Sequence, residues 1–80
     1  MNVKYIKTKE GDIIVFSAHI SHDEFIKLSP VSAGFIAFDT DINGEFTCDC
    51  YGNSYSLNLN SDVNDSKLAM RQILGKDVCI

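Results

Sequence analysis

Residues 32–51 read SAGFIAFDTDINGEFTCDCY, and this stretch decides the fold because it holds two strands and the turn between them. A two-residue turn at the Asn-Gly pair, 43–44, would place Phe38 opposite Asp49 and mix the core and solvent faces of the strands. A loop one residue longer pairs Phe38 with Cys48 instead, so that apolar residues share one face. We therefore predict an antiparallel hairpin with a three-residue loop.

The loop 42–44 has a known geometry, in which a type I turn is followed by a glycine with a positive φ. Gly44 stands at that position, where the missing side chain removes the steric cost. The same register pairs Ile36 with Cys50. The second strand is then expected to carry Phe46, Cys48 and Cys50 toward the core.

Residues 52–60 are predicted to return as a third strand of an antiparallel meander. A two-residue loop at Gly52-Asn53 pairs Cys50 with Tyr55, and it also places Leu57 and Leu59 on the apolar face. The opposite face would be polar and open to water. It would present Tyr51 together with Thr47, Asp49, Ser54, Ser56, Asn58 and Asn60.

The N-terminal half begins with two β-rich runs, VKYIKT (3–8) and DIIVFS (12–17), joined by a loop in which Gly11 can take a positive φ. A capping box, Ser21 to Glu24, then predicts a short helix over about 21–28. Ser29-Pro30 ends that helix, because the residue before proline is disfavoured in helical space.

A second helix is predicted near the C-terminus, from a cap at Ser61 or Asn64 through Leu74, with Gly75 as its C-terminal cap. Its expected apolar stripe consists of Val63, Met70, Ile73 and Leu74. Asp62, Asp65 and Arg71 suit the helix dipole. The tail, 76–80, could add a last edge strand or lie free.

These elements predict an α+β fold for a single domain, 1–80. We expect a small antiparallel sheet of about five strands, made of a hairpin, a short helix and a three-stranded meander, with the C-terminal helix packed on one face. Eighty residues provide apolar surface for only one core. Such a short chain is marginally stable, so self-association is expected to add buried surface.

Charge and hydropathy exclude several classes of protein. The formal net charge is −4, and nucleic-acid binding depends on clustered cations, so direct nucleic-acid binding is not expected. The longest apolar run, 13–16, is far too short to cross a membrane. The N-terminus lacks the apolar segment and cleavage site of a secretory signal, so the cytoplasm is the expected compartment. Three cysteines, an odd number, agree with a reducing environment.

Asp39, Asp41 and Asn43, followed by Gly44, have the spacing that opens a calcium loop of the EF-hand type. The twelfth position of such a loop supplies a bidentate glutamate, and here it is Cys50. The flanking segments also have the periodicity of strands rather than helices. We therefore interpret the segment as an acidic hairpin turn, and expect no metal or other cofactor.

No catalytic constellation is expected. Cys48 and Cys50 share an apolar face, and their spacing is not that of the usual zinc sites formed with histidines such as His19 or His22. Ser21 is already assigned as a helix cap, and Cys79 has no base placed beside it by the sequence. Phosphate-binding glycine loops are absent. The sequence thus favours a protein that is not an enzyme.

The runs MNVKYIK, GDIIVF, ISHDEF and PVSAGF together resemble the small uncharacterised proteins that phages and prophages encode. The resemblance spans most of the chain and implies no activity for named residues. What it implies is a context, an accessory or anti-defence factor that acts by binding a host or phage component.

Three functional hypotheses follow from the sequence. The first is a non-enzymatic interaction protein, with a homodimer as the simplest self-association, a heterologous protein as a further partner, and Tyr51 as the expected contact residue. The second is a small-molecule or nucleotide-binding protein with a site between subunits, lined by Tyr51, Tyr55 and serines. The third is a calcium-binding module at the 39–45 loop.

Overall fold

The chain folds as a mixed α and β domain in the computed structural model, which describes residues 2–75. The strands are β1 (Asn2–Thr8), β2 (Ile13–Phe16), β3 (Pro30–Thr40), β4 (Phe46–Tyr51), β5 (Asn53–Ser54) and β6 (Leu59–Asn60). A 3-10 helix (His22–Leu28) precedes β3, and one α-helix, α1 (Asp65–Leu74), follows β6. The predicted α+β class, antiparallel sheet and packed C-terminal helix are confirmed.

The main sheet has four antiparallel strands in the order β2-β1-β3-β4. Its β3–β4 register pairs Phe38 with Cys48 and Ile36 with Cys50, as the alternation of apolar residues predicted. The Asp41 amide donates to the Glu45 carbonyl at 2.8 Å, and Gly44 has φ 78°. The three-residue loop is therefore confirmed.

The β1–β2 hairpin also follows its sequence pattern. Lys4 pairs with Phe16 and Lys7 with Ile13. The loop closes where the Gly11 amide donates to the Thr8 carbonyl at 2.9 Å, with Gly11 at φ 91°. Non-local pairing of β1 with β3 then places β1 in the middle of the sheet.

The predicted third strand of the meander is not part of this sheet, which has four strands rather than about five. After Tyr51 the chain turns at Gly52, with φ 79°, and β5 pairs with β6 as a separate two-stranded sheet. A side chain at Gly34 would clash with the Tyr51 carbonyl, so glycine at this position permits the turn. Tyr55, expected in the core, is 92% exposed as a result.

The small sheet covers a face that the prediction left open to water. Ile6, Phe16 and Ala33 form a buried cluster there, and Leu57 and Leu59 pack against it with Phe25 of the 3-10 helix. Both leucines were predicted to be apolar contacts, but they lie on the face opposite Cys48. Burial of this second apolar cluster stabilises the separate β5–β6 sheet relative to the predicted flat meander.

Helix α1 covers the other face of the main sheet. Tyr5, Ile36, Cys48 and Ala69 form its buried cluster, and Met70 and Leu74 pack against them. The helix begins after Asn64, one of the two predicted caps, and Gly75 ends it with φ 67°. The expected apolar stripe is only half correct, because Val63 is 91% exposed and Ile73 is 39% exposed.

Polar side chains of α1 also bond the edge strands. The Ser66 hydroxyl accepts from the Cys50 amide at 2.8 Å on β4. Near the other end of the helix, the Gln72 side chain accepts from the Ile13 amide of β2 at 2.8 Å and donates to the Gly11 carbonyl at 2.7 Å. The helix is thus bonded to both outer strands of the sheet.

Between residues 2 and 75 no helix is long and apolar enough to cross a membrane. The tail, 76–80, for which an edge strand or a free segment was expected, and its thiol Cys79 lie outside the described residues.

Thiol reactivity tests the β4 register. Cys48 is 1% exposed and Cys50 is half-buried, and burial raises the pKa of Cys48 and raises that of Cys50 to about 12. Because the thiolate is the reactive form, both should label far more slowly in the native protein than in denaturant. The measurement is mass-resolved alkylation of a Cys79→Ser variant at pH 8. Rapid labelling of Cys48 in the native state would mean that the strand faces are reversed.

Candidate functional site

A carboxylate is fully buried where α1 begins. One oxygen of Asp65, Oδ2, accepts from the Tyr5 hydroxyl at 2.5 Å, from the Ser32 hydroxyl at 2.7 Å and from the Asp62 amide at 3.0 Å. The other, Oδ1, lies 3.0 Å from the Lys7 ammonium. The side chain is 0% exposed. This cluster joins α1 to both central strands of the sheet.

The cluster favours the charged form of Asp65. Burial acts to raise its pKa, but the hydrogen bonds from Tyr5, the Asp62 amide and Ser32, together with the Lys7 ammonium, lower the pKa below its usual range. For Tyr5, burial and the contact with Asp65 raise the pKa. The stable arrangement is an ionised Asp65 that accepts from a protonated Tyr5. With no exposure to solvent, we interpret it as structural.

A cavity of about 250 Å³ lies on the opposite face of the sheet, between β1, the 3-10 helix, β3 and the β5–β6 turn. Its aromatic lining residues are Phe35 and Tyr55, together with the imidazole-bearing His22. Its polar lining consists of Lys4, Ser21, His22, Asn53, Ser54 and Ser56. Tyr55 and the serines were expected at a ligand site between subunits, whereas this cavity lies within one chain and does not include Tyr51.

His22 forms one wall of the cavity and is 4% exposed. Its Nε2 donates to the Gly34 carbonyl at 2.8 Å, since a carbonyl can only accept. The ring also lies edge-on to Phe16 and Phe35, with centroid distances of 5.5 and 5.9 Å. These contacts fix the imidazole in a single orientation.

The predicted capping box at Ser21 is wrong. The Glu24 amide donates to the backbone carbonyl of Ser21 at 3.2 Å, and the serine side chain makes no capping hydrogen bond. The segment is a 3-10 helix, whose shorter hydrogen-bond ring uses that carbonyl directly. The Ser21 hydroxyl therefore remains available at the cavity.

The β3–β4 hairpin ends in an apolar and acidic tip, residues 38–46. The pairing of β3 with the described part of β1 ends at Asn2–Ala37, whereas β3 and β4 remain paired as far as Thr40–Phe46. Phe38 is 36% exposed, Ile42 is 100% exposed and Phe46 is 64% exposed. The exposure of Phe46 differs from its predicted place in the core, because α1 covers Cys48 and Cys50 but leaves Phe46 largely uncovered.

Two of the three residues with calcium-loop spacing, Asp39 and Asp41, use a carboxylate oxygen within the hairpin tip. Asp41 Oδ1 accepts from the amides of Asn43 and Glu45 at 2.9 and 3.0 Å, and Asp39 Oδ1 accepts from the Thr40 amide at 2.8 Å. Among residues 2–75, no three side chains of His, Cys, Asp or Glu are grouped so that they could hold a metal ion. The carboxylates act as turn acceptors in this structure.

Tyr51, the contact residue expected from the sequence, lies at the end of the edge strand β4. Its ring stacks on Phe35 with a centroid distance of 5.9 Å and an interplanar angle of 29°. It remains 41% exposed. Its side chain is exposed as expected, although the small sheet covers part of the face that was predicted to be open to water, and its role in contacts between chains stays a prediction.

Comparison with protein families, curated proteins and solved structures gives no match to this chain. The cavity, the hairpin tip and the chemistry of their side chains are therefore the features that bear on function.

Replacing the buried carboxylate tests its structural role. Asp65→Asn is expected to lower the free energy of unfolding by about 3 kcal/mol or more, because Lys7 loses its buried counter-charge and Tyr5 its strongest acceptor. Chemical denaturation at pH 7 measures the change. Asp49→Asn, at an exposed position of β4, removes the same charge and should change stability by less than about 0.5 kcal/mol.

The lowered pKa of Asp65 also predicts how the stability of the protein depends on pH. A carboxylate with a lowered folded-state pKa contributes stability above the unfolded pKa of about 4, and that stability is lost as pH falls through the folded value. The Asp65→Asn protein should lack this acid-sensitive component. Parallel stability curves for the two proteins between pH 6 and 2 would contradict the assignment.

Proposed function

We propose that this protein acts by binding a protein partner through its hairpin tip, residues 38–46, rather than by catalysing a reaction. The observation that supports this most is the exposure of Phe38, Ile42 and Phe46 on one short hairpin. Large apolar side chains grouped at a surface are typical of interaction sites, whereas single exposed ones are ordinary.

The charge around these side chains specifies the chemistry of the partner. Asp39, Asp41 and Glu45 lie within the tip, and no lysine or arginine occurs between Lys27 and Lys67. An apolar centre with an acidic rim is complementary to a pocket rimmed by basic residues. The same charge disfavours contact between two copies of the tip.

The loop is also held in one conformation before any partner binds. Asp41 Oδ1 accepts from two backbone amides, and the Gly44 amide donates to the Asp41 carbonyl at 2.9 Å. A pre-organised loop loses less conformational entropy on binding, which favours affinity. Ile42 is therefore presented at the apex of a defined turn.

The resemblance to proteins of phages and prophages supports a host or phage component as the partner, and an accessory or anti-defence role as the context. A basic surface is common on proteins that bind nucleic acid. We therefore propose that the partner is a nucleic-acid-binding protein. The acidic tip would occupy the basic site that otherwise contacts phosphate groups.

A substitution at the apex tests the proposal. Ile42→Ser is expected to weaken partner binding at least tenfold, because central apolar anchors contribute about 2 kcal/mol or more to an interface. Val63→Ser is the matched control, because Val63 is also an almost fully exposed apolar residue, at 91%. It lies beside the start of α1, and α1 contacts β3 at Ser32, at the end of β3 away from the hairpin tip. A photo-crosslinking residue at position 42 identifies the partner, and titration calorimetry with the purified partner measures both variants.

Affinity should also fall as salt is raised, because screening weakens the contact between the acidic rim and a basic pocket. Equal affinities of the Ile42→Ser and Val63→Ser variants would contradict the proposal. So would a crosslink from position 42 to a second copy of this chain, since that would assign the tip to self-association.

We further propose a homodimer, with Tyr51 at its contact surface. Among the residues described, the buried hydrophobic core has seven members, whereas twelve large hydrophobic residues are exposed, so a second subunit could cover surface that the monomer leaves in water. Tyr51→Ser should weaken the dimer by about tenfold, while Tyr55→Ser, at a more exposed tyrosine, should not. Sedimentation equilibrium over a hundredfold concentration range measures this. A monomer throughout would contradict it.

A further inference from the structure

The cavity on the second face of the sheet differs in charge from the rest of the molecule. The chain has eleven acidic and seven basic residues. Of the side chains that line the cavity in the described structure, Lys4 is the only one with a full charge, and none is a carboxylate. The lining of this cavity is thus locally positive in an otherwise acidic protein, which favours an anion over a cation.

Lys4 is held in place by the backbone. Its ammonium donates to the Ile20 carbonyl at 3.0 Å, and an ammonium has two further hydrogens to donate. The residue is partly buried, while the hydrogen bond of its ammonium is open to solvent. This arrangement offers a fixed cation to an acidic group.

Hydroxyl groups provide additional donors near this cation. Ser54 is 3% exposed, its hydroxyl accepts from the Leu57 amide at 3.3 Å, and it lies 3.3 Å from the Ser56 hydroxyl. The Ser21 hydroxyl, unused as a helix cap, lines the same space. Several donors around a single cation are suited to the oxygens of an oxyanion.

His22 supplies a different group. Because Nε2 donates to the Gly34 carbonyl, Nδ1 is the acceptor of the neutral ring, and it has no hydrogen-bond partner within the described structure. His22 lines the cavity, so a ligand hydroxyl could donate to this nitrogen.

Size and shape restrict the ligand further. Phe35, which is half-buried, and Tyr55, which is 92% exposed, are both lining residues, and an aromatic side chain favours a planar group by stacking. The volume of about 250 Å³ is below the range of roughly 300–1,000 Å³ that holds drug-sized ligands. One lysine balances one negative charge, which favours a carboxylate over the dianion of a phosphate monoester.

We propose that this cavity binds a small planar monocarboxylate that also carries a hydroxyl group, of the class of the hydroxybenzoates. Its carboxylate contacts Lys4 and the serine hydroxyls, its ring lies against Phe35, and its hydroxyl donates to His22. The site is separate from the hairpin tip.

Titration with 4-hydroxybenzoate, followed by amide chemical shifts, tests the assignment. We expect saturable shifts at residues 53–56 and at Lys4, with a Kd of about 1 mM or tighter, as suits a ligand of this size. Phenyl phosphate and benzylamine are the comparison probes, with one carrying a phosphate and the other a positive charge. Both should bind at least tenfold more weakly.

Matched lysine variants separate this site from a general effect of charge. Lys4→Gln should weaken 4-hydroxybenzoate binding at least tenfold, whereas Lys9→Gln removes an exposed charge outside the cavity and should leave the Kd unchanged. Ile42→Ser should also bind normally, which keeps this result independent of the hairpin tip. Tyr55→Ser, at a side chain that is 92% exposed, should weaken binding without unfolding the protein.

Three results would overturn the assignment. The first is the absence of saturable shifts up to 10 mM 4-hydroxybenzoate. The second is an equal loss of affinity in the Lys4→Gln and Lys9→Gln variants. The third is tighter binding of phenyl phosphate or benzylamine, which would assign the cavity to a phosphate or to a cation instead.

Discussion

The carboxylate of Asp65 is the contact on which the arrangement of the two halves of the chain depends. It joins β1 through Tyr5 and Lys7, β3 through Ser32, and the start of α1 through the Asp62 amide. A buried charge is costly unless an opposite charge and hydrogen-bond donors compensate it, so the three elements must reach the same place together. A misplaced helix would leave these groups buried without partners.

The hairpins could be derived from sequence because their information is local. In the β3–β4 hairpin, the loop glycine and the strand alternation agree on one register, which pairs Phe38 with Cys48. The β1–β2 hairpin has the same kind of evidence, with Gly11 at a positive φ. Turn chemistry and face alternation act over a few residues, and both can be checked along the chain.

The alternation of apolar and polar residues did not predict the fold after Tyr51, because the spacing of Leu57 and Leu59 suits either face of a sheet. The deciding contacts are with Ile6, Phe16 and Ala33, which are remote in sequence. The same limit hid the burial of Asp65. Its hydrogen-bonded side chains lie 33 and 60 residues away, and its ion-pair partner Lys7 is equally remote. Its position in a first helical turn suggested only a dipole effect. The cavity was also missed as a site within one chain, since four separate segments build it. A serine assigned as a cap and a histidine assigned to a helical turn gave no local signal of it.

The hydrogen bonds from α1 to the outer strands have a consequence for how the chain avoids aggregation. Ser66 occupies the Cys50 amide and Gln72 the Ile13 amide, so at these two points the strand edges cannot accept a strand from another molecule. The protection depends on a docked helix. If α1 detaches, both amides and the apolar face beneath it become accessible at the same moment. The opened form, rather than the native one, is therefore where unwanted pairing between molecules would begin.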